Sequence, residues 1–148
     1  VTEHPYDFYL EHIADFGHSL IDGNLKVMLL SGAYTPDRVA DQFIDDISAH
    51  ECVDSTGSYA AGGLALGTPV VGVDASHFGY VDAVDPAWTG CTIPDVSFAV
   101  VYYDTGVPTT SALVGYWDLG GSTPLAAQDF GLILTAPGLG AAIQYAAG

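Results

Sequence analysis

Ser97-Phe98-Ala99-Val100-Val101-Tyr102-Tyr103-Asp104-Thr105-Gly106 and Leu113-Val114-Gly115-Tyr116-Trp117-Asp118-Leu119-Gly120-Gly121 decide the fold. Each is an apolar run closed by turn residues, and neither spaces its apolar residues as a helix would. In the first, Val96, Phe98, Val100 and Tyr102 point one way and Ala99, Val101 and Tyr103 the other, so both sides are apolar. A strand of that kind is covered on both faces. The same alternation places Tyr116 and Trp117 on opposite faces. Leu25-Lys26-Val27-Met28-Leu29-Leu30-Ser31 reads the same way, a strand over 25–31 leading into Gly32-Ala33-Tyr34-Thr35-Pro36-Asp37.

Working outward, residues 64–135 form a β-rich core. Leu64 to Asp74, His77 to Val84, Trp88 to Ile93, Leu113 to Leu119 and Phe130 to Thr135 are further strands. Pro69, Pro86 and Pro94 belong at strand ends or edges. Ser58-Tyr59-Ala60-Ala61-Gly62-Gly63 is a turn or bulge, and 137–148 is a C-terminal tail or edge strand. Two helices are expected in the N-terminal third. One spans 5–21, with Pro5 at a first helical position and Tyr6, Tyr9, Leu10, Ile13, Phe16 and Leu20 at helical spacing. The other spans 36–49, with Thr35 as cap and Val39, Phe43 and Ile47 on its inner face. Asp41, Asp45 and Asp46 lie on or near its wet side. The chain is expected to be one α+β, mostly β domain over 1–148, an antiparallel β-sandwich or a barrel-like fold.

Composition bounds the function. A chain of 148 residues buries on the order of 70% of the surface its unfolded form exposes, so it needs neither metal nor disulfide to fold. Lys26 and Arg38 are the only basic side chains against 18 acidic ones, for a net charge of −16. Such a surface repels phosphate backbones and anionic lipid, so neither nucleic acid nor membrane is an expected partner. No apolar run approaches a membrane span. The N-terminus lacks a basic region followed by an apolar run, so no signal peptide is expected. Cys52 and Cys91 make no disulfide framework; two free, partly buried thiols are expected, and pairing depends on the fold.

No residue pattern assembles into a catalytic centre. His12 and Asp15 stand i, i+3, and Glu11 and Asp15 i, i+4, but without a Glu-x-x-His or His-Glu-x-x-His pattern they read as polar side chains facing water. Asp41, Asp45 and Asp46, or Asp82 and Asp85, could hold a divalent cation loosely; the spacing of a calcium loop is absent. Paired carboxylates suited to glycoside hydrolysis arise by chance in so acidic a chain. There is no Gly-x-Ser-x-Gly elbow, no phosphate-loop spacing at Gly62-Gly63 or Gly120-Gly121, and His50-Glu51-Cys52 adjacency does not make a nucleophile pair. Trp88, Tyr102, Tyr103, Tyr116 and Trp117 could line a sugar platform; on strands, aromatics are core packing first. The expectation is no enzyme, no catalytic, cofactor or metal site, and no cofactor.

The order of motifs resembles small tailed-phage virion structural proteins. The carriers are the strand and turn Leu25 to Pro36, the acidic segment Asp41-Gln42-Phe43-Ile44-Asp45-Asp46-Ile47, and Ser58 to Gly63. After them come Asp82-Ala83-Val84-Asp85-Pro86-Ala87-Trp88, Ala99 to Gly106, and Leu113 to Tyr116. The resemblance runs from about residue 5 to 140 and departs at Ser97-Phe98, where the family often has Arg-Tyr. It implies a non-enzymatic protein of the virion, at the capsid surface or neck, made in the host cytoplasm. It further implies a capsid-associated decoration or minor capsid protein that binds the major capsid protein or other virion proteins as a homo-oligomer. The N-terminal helix and the 137–148 tail, terminal and rich in apolar or small residues, are the expected contact elements. A neck or tail component is the nearest rival, followed by a carbohydrate-binding host-adhesion module and a small metal-dependent hydrolase.

Overall fold

A computed structural model describes residues 2–8, 17–73, 79–135 and 140–146. The fold is mostly β, with antiparallel sheets that do not close into a barrel. Its strands are β1 (Thr2–Pro5), β2 (Leu25–Leu30), β3 (Leu64–Ala65), β4 (Gly67–Val73), β5 (Gly79–Val84), β6 (Ala87–Tyr103), β7 (Leu113–Thr135) and β8 (Gly140–Ala146). The main sheet has six strands in the order β1-β7-β6-β2-β3, with β8 also on β7; β4 and β5 form a separate two-stranded sheet.

The axis of the molecule is the β6–β7 hairpin. What the sequence reads as four strands, Trp88 to Ile93, Val96 to Tyr103, Leu113 to Leu119 and Phe130 to Thr135, is two long ones. Register shifts between Trp88 and Phe98 absorb the interruption at Pro94, whose missing N–H would otherwise break the ladder. One shift lies between Val96 and Phe98 and turns the strand over. Val96 therefore shares a buried cluster with Ala99, Val101 and Tyr103, while Phe98 packs with Val100 and Tyr102. Val96 is expected on the other face; across this irregularity β7 runs from Thr123 to Asp118 while β6 runs only from Val96 to Phe98, and strict alternation does not carry through it.

Both faces of the central strands are buried. On one, Val27, Leu29, Ala99, Val101 and Trp117 join Trp88, Ile93, Phe130 and Leu132 from the far half of the same hairpin. On the other, Met28, Leu30, Val100 and Tyr116 pack with Tyr6, Tyr34, Ile44 and Ile47. Each large apolar side chain fully withdrawn from water contributes roughly 2 kcal/mol before entropy is counted.

Among the described residues, the two expected helices reduce to a short one, α1 (Ile44–Ile47), and to helical Asp7-Phe8. The expected helix 5–21 begins instead as strand: His4 pairs with Tyr116 and Pro5 with Gly115 on the open edge of β7. Its end is irregular at 17–19 and turns at Leu20-Ile21, and 9–16 lie outside the described residues. The expected helix 36–49 is cut at Phe43, which is extended and bridges Ala112. Leu113 N–H donates to the Gln42 carbonyl and Ile44 N–H to that of Ser111, so an edge contact overrides helical propensity there. Carboxylates compete as well: Asp37 accepts from Val39 and Ala40 N–H, and Asp46 from Gln42 and Phe43 N–H. Val39, expected in the core, is 69% exposed. The segment expected as one strand from Leu64 to Asp74 changes sheets at Leu66, where β3 leaves β2 for the β4–β5 hairpin.

Candidate functional site

The carboxylates of this chain are spent on its turns. Asp22, Asp37, Asp54, Asp104 and Asp118 each accept from the backbone N–H two residues on, at Asn24, Val39, Thr56, Gly106 and Gly120. This is the side-chain turn that aspartate forms where the backbone leaves regular structure. Four of the five carry the sequence signal Asp-x-Asn, Asp-x-Thr or Asp-x-Gly; Asp37-Arg38-Val39 carries none.

Asp54 is the hub of the most elaborate of these. Its Oδ1 accepts from Thr56 N–H at 3.0 Å, Thr56 Oγ1 at 2.6 Å and Thr92 N–H at 2.8 Å; Oδ2 accepts from Tyr59 N–H at 2.8 Å. Desolvation raises its pKa, but these donors together outweigh it and hold the carboxyl well below the usual range. The loop so fixed runs along the edge of β6 that β2 does not reach: Ser55 N–H donates to the Thr92 carbonyl, and the Cys52 thiol to that of Asp95. It takes the place of a strand there.

Beside it, Glu51 Oε1 accepts from Tyr59 Oη at 2.8 Å and Gly62 N–H at 2.6 Å, while Tyr59 Oη accepts from Leu29 N–H. Tyr102 Oη donates to the Gly62 carbonyl at 2.6 Å. Gly63 has φ +74, and a Cβ there would lie 1.9 Å from the Val27 carbonyl oxygen. Only glycine fits that approach, so the Gly62-Gly63 pair is a tight seat against β2. In the cluster that holds Tyr102, the Tyr6 and Tyr34 hydroxyls meet at 2.7 Å, and Tyr34 donates to Asp41 Oδ2 at 2.6 Å. Burial pushes the Tyr6, Tyr34, Tyr59 and Tyr102 phenols up, so all are neutral donors at neutral pH.

The residues singled out in the sequence are placed as follows. Asp41 holds Tyr34 and Asp37 N–H, and Asp46 holds the backbone ahead of α1, where Asp45 is exposed. Asp82 accepts from Ala83 N–H, whereas Asp85 accepts from Leu134 N–H across to β7. Glu11, His12 and Asp15 lie outside the described residues. Among the described residues, no three His, Cys, Asp or Glu side chains converge as a metal site. Cys52 and Cys91 are free and buried. Burial pushes their thiols up to about 12 and about 11, so both are protonated at neutral pH and Cys52 lacks the thiolate a nucleophile requires. Trp88 and Trp117 are 5% and 1% exposed, and Trp88 stacks on Phe130. Tyr103 is buried in the same cluster, and Tyr102 and Tyr116 in the one on the other face, so these rings form core and no platform.

One open depression, of about 680 Å³, is lined by Gly32, Asp95, Ser97, Asp118, Gly121 and Ser122. Asp95 already accepts from Gly32 N–H and Ser97 Oγ, both at 2.7 Å, and Asp118 from Gly120 N–H. Its acids are occupied in holding its own rim. Sequence reasoning missed Glu51, Asp54, Asp95 and Asp129, the last accepting from Gly90 N–H; for Glu51 and Asp95 no local pattern signals the role.

Compared with protein-family models, curated proteins and solved structures, the chain has no significant match.

Proposed function

We propose that this chain is a non-enzymatic structural protein of a tailed-phage virion, a decoration or minor capsid protein that binds the major capsid shell. The observation that carries the reading is the use made of the residues in the resembling motifs. Tyr34 and Asp41 brace β1 to the segment before α1, and Tyr59, Gly62 and Gly63 lock a turn onto β2. Trp88 fills the core beneath Phe130, and Tyr102 ties β6 to Gly62. Residues that mark the motif serve rigidity, which is what a shell component requires: one fixed shape that presents a surface.

In this reading the β6–β7 hairpin folds over its own inner face as an antiparallel sandwich, stiff along its length. The net charge of −16 keeps the protein off packaged DNA, since like charge repels the phosphate backbone. Its partners are the major capsid protein or other virion proteins, and further copies of itself in a closed symmetric arrangement.

The test is copy number in purified particles, relative to the major capsid protein, by quantitative mass spectrometry. A ratio near one, or one per few capsid subunits, is expected. A dozen copies or fewer would move the chain to the neck or tail, and absence from particles would overturn the virion reading.

A further inference from the structure

β1 is the outermost strand of the main sheet. It pairs with residues 115–118 of β7, on the edge that β6 leaves free. Bared, that edge would offer unpaired backbone groups beside Tyr116 and Trp117, a template for an added strand. The ladder that covers it is short: four residues, the last of them Pro5, which has no N–H to give. Tyr6, next along, donates its N–H to the Val114 carbonyl and is fully buried, its hydroxyl against that of Tyr34.

Arg38 closes over this strand from outside. Its Nε donates to the Pro5 carbonyl at 2.8 Å and its Nη2 to Asp7 Oδ1 at 2.7 Å, while its own carbonyl accepts from Asp7 N–H at 3.0 Å. These contacts fall on either side of Tyr6. The turn that presents the guanidinium is itself held: Asp37 accepts from Val39 and Ala40 N–H, and Asp41 from Asp37 N–H and the Tyr34 hydroxyl. With both side chains about two-fifths exposed, the Arg38–Asp7 pair alone is worth little. The planar fork adds a second bond, to the Pro5 backbone, and so grips the strand at two points. Charge makes the side chain hard to replace. Arg38 is one of two basic residues in the chain, and the other, Lys26, is engaged with Asp104. The charges that bear on Tyr116, the ring paired with His4, are Arg38 against Asp118 and Asp41; without Arg38 those left there are both negative.

We propose that residues 2–7 are a strap over the β7 edge and that Arg38 is its catch. With Arg38 in place the edge is closed; with its grip withdrawn the strap lifts and bares 115–118, while the sheet behind stays folded. Opening of this kind is a local event with a free energy below that of global unfolding. The device governs when β7 is open to strand addition, and it does not depend on the virion reading.

Hydrogen exchange of the full chain at neutral pH and low urea, read residue by residue by NMR, tests it. The variants are Arg38→Gln and, as a control that removes the other cation, Lys26→Gln. In the wild type, the amides of the β1–β7 ladder are expected to exchange faster than those of the β2–β6 ladder. Their rates are expected to depend little on urea below the unfolding midpoint, because lifting a strap exposes little surface. Arg38→Gln is expected to speed the β1–β7 amides by roughly fivefold or more, since bonds to a charged group are lost. Lys26→Gln is expected to leave them unchanged, because the Lys26 contact survives when the strap opens. Three results would each overturn the proposal. One is β1–β7 exchange that matches β2–β6 at every urea concentration, which means that β1 leaves only when the whole fold does. The others are an Arg38→Gln chain with wild-type exchange at β1–β7, and an equal acceleration by Lys26→Gln. Should Arg38→Gln lose its fold by circular dichroism, Asp7→Ala decides, as it removes one of the two acceptors: faster β1–β7 exchange is expected, and unchanged exchange would overturn the proposal.

Discussion

At the scale of the residue, aspartate in this chain is a backbone acceptor before it is a charge. Asp54 serves three backbone N–H groups and one hydroxyl. An amide left without its acceptor in a packed loop costs about 1–3 kcal/mol, and the loss is not made good when several donors share one partner. Asp54→Ala is therefore expected to destabilise the fold by about 3 kcal/mol in urea titration, with the 51–59 loop released from β6. A variant as stable as the wild type would mean that water replaces the carboxylate without loss. Gly63 is the reciprocal case. It contributes no side chain, yet a Cβ there would lie 1.9 Å from the Val27 carbonyl oxygen, so no other residue fits. Its importance is invisible in composition, because one glycine among 18 says nothing of which backbone approaches which.

At the scale of the element, the carboxylate-held turns make stability depend on pH in a definite sense. The hydrogen bond from Tyr103 lowers the Asp22 pKa, and the Ala40 and Val39 N–H groups lower that of Asp37. Lys26 lowers Asp104, and Asp54 and Asp95 end low despite their desolvation. A carboxyl whose folded pKa lies below its unfolded value of about 3.9 stabilises the fold fully above that pH. The contribution is lost as pH falls through the folded values, when the folded state must take up protons it binds poorly. The urea midpoint is thus expected to be level from about pH 7 to 5 and to fall steeply below about pH 4. A midpoint that holds or rises down to pH 2 would contradict the assignment of these acids to the turns. The same acids explain why the helix expected over 36–49 shrinks to Ile44–Ile47: Asp37 and Asp46 offer the backbone a better partner than the next helical turn.

At the scale of the whole molecule, a net charge of −16 opposes compaction, and the two ion pairs among the described residues, Lys26–Asp104 and Arg38–Asp7, are surface pairs worth about 0–1 kcal/mol each. Screening relieves more repulsion than attraction, so the melting temperature is expected to rise by about 3 °C or more between about 0.05 and about 0.5 M NaCl. A fall would mean that the two ion pairs outweigh the repulsion. The central strands Leu25–Leu30 and Ala99 to Tyr103 were legible in the sequence, as were Tyr116 and Trp117 on opposite faces and the burial of Trp88 and Trp117, because two-sided apolar runs have one solution in a sheet. The charge balance was legible too, since it needs no coordinates. Tertiary structure alone decided that Thr2–Pro5 joins β7 as a strand, that Phe43 breaks a helix to bridge Ala112, and that Pro94 sits inside one long strand. The same holds for Asp95, which closes on Gly32 far away in sequence. In each case the deciding partner lies tens of residues off. Local propensity sums over neighbours along the chain, whereas an open strand edge or an unpaired N–H is satisfied by whatever the fold brings beside it.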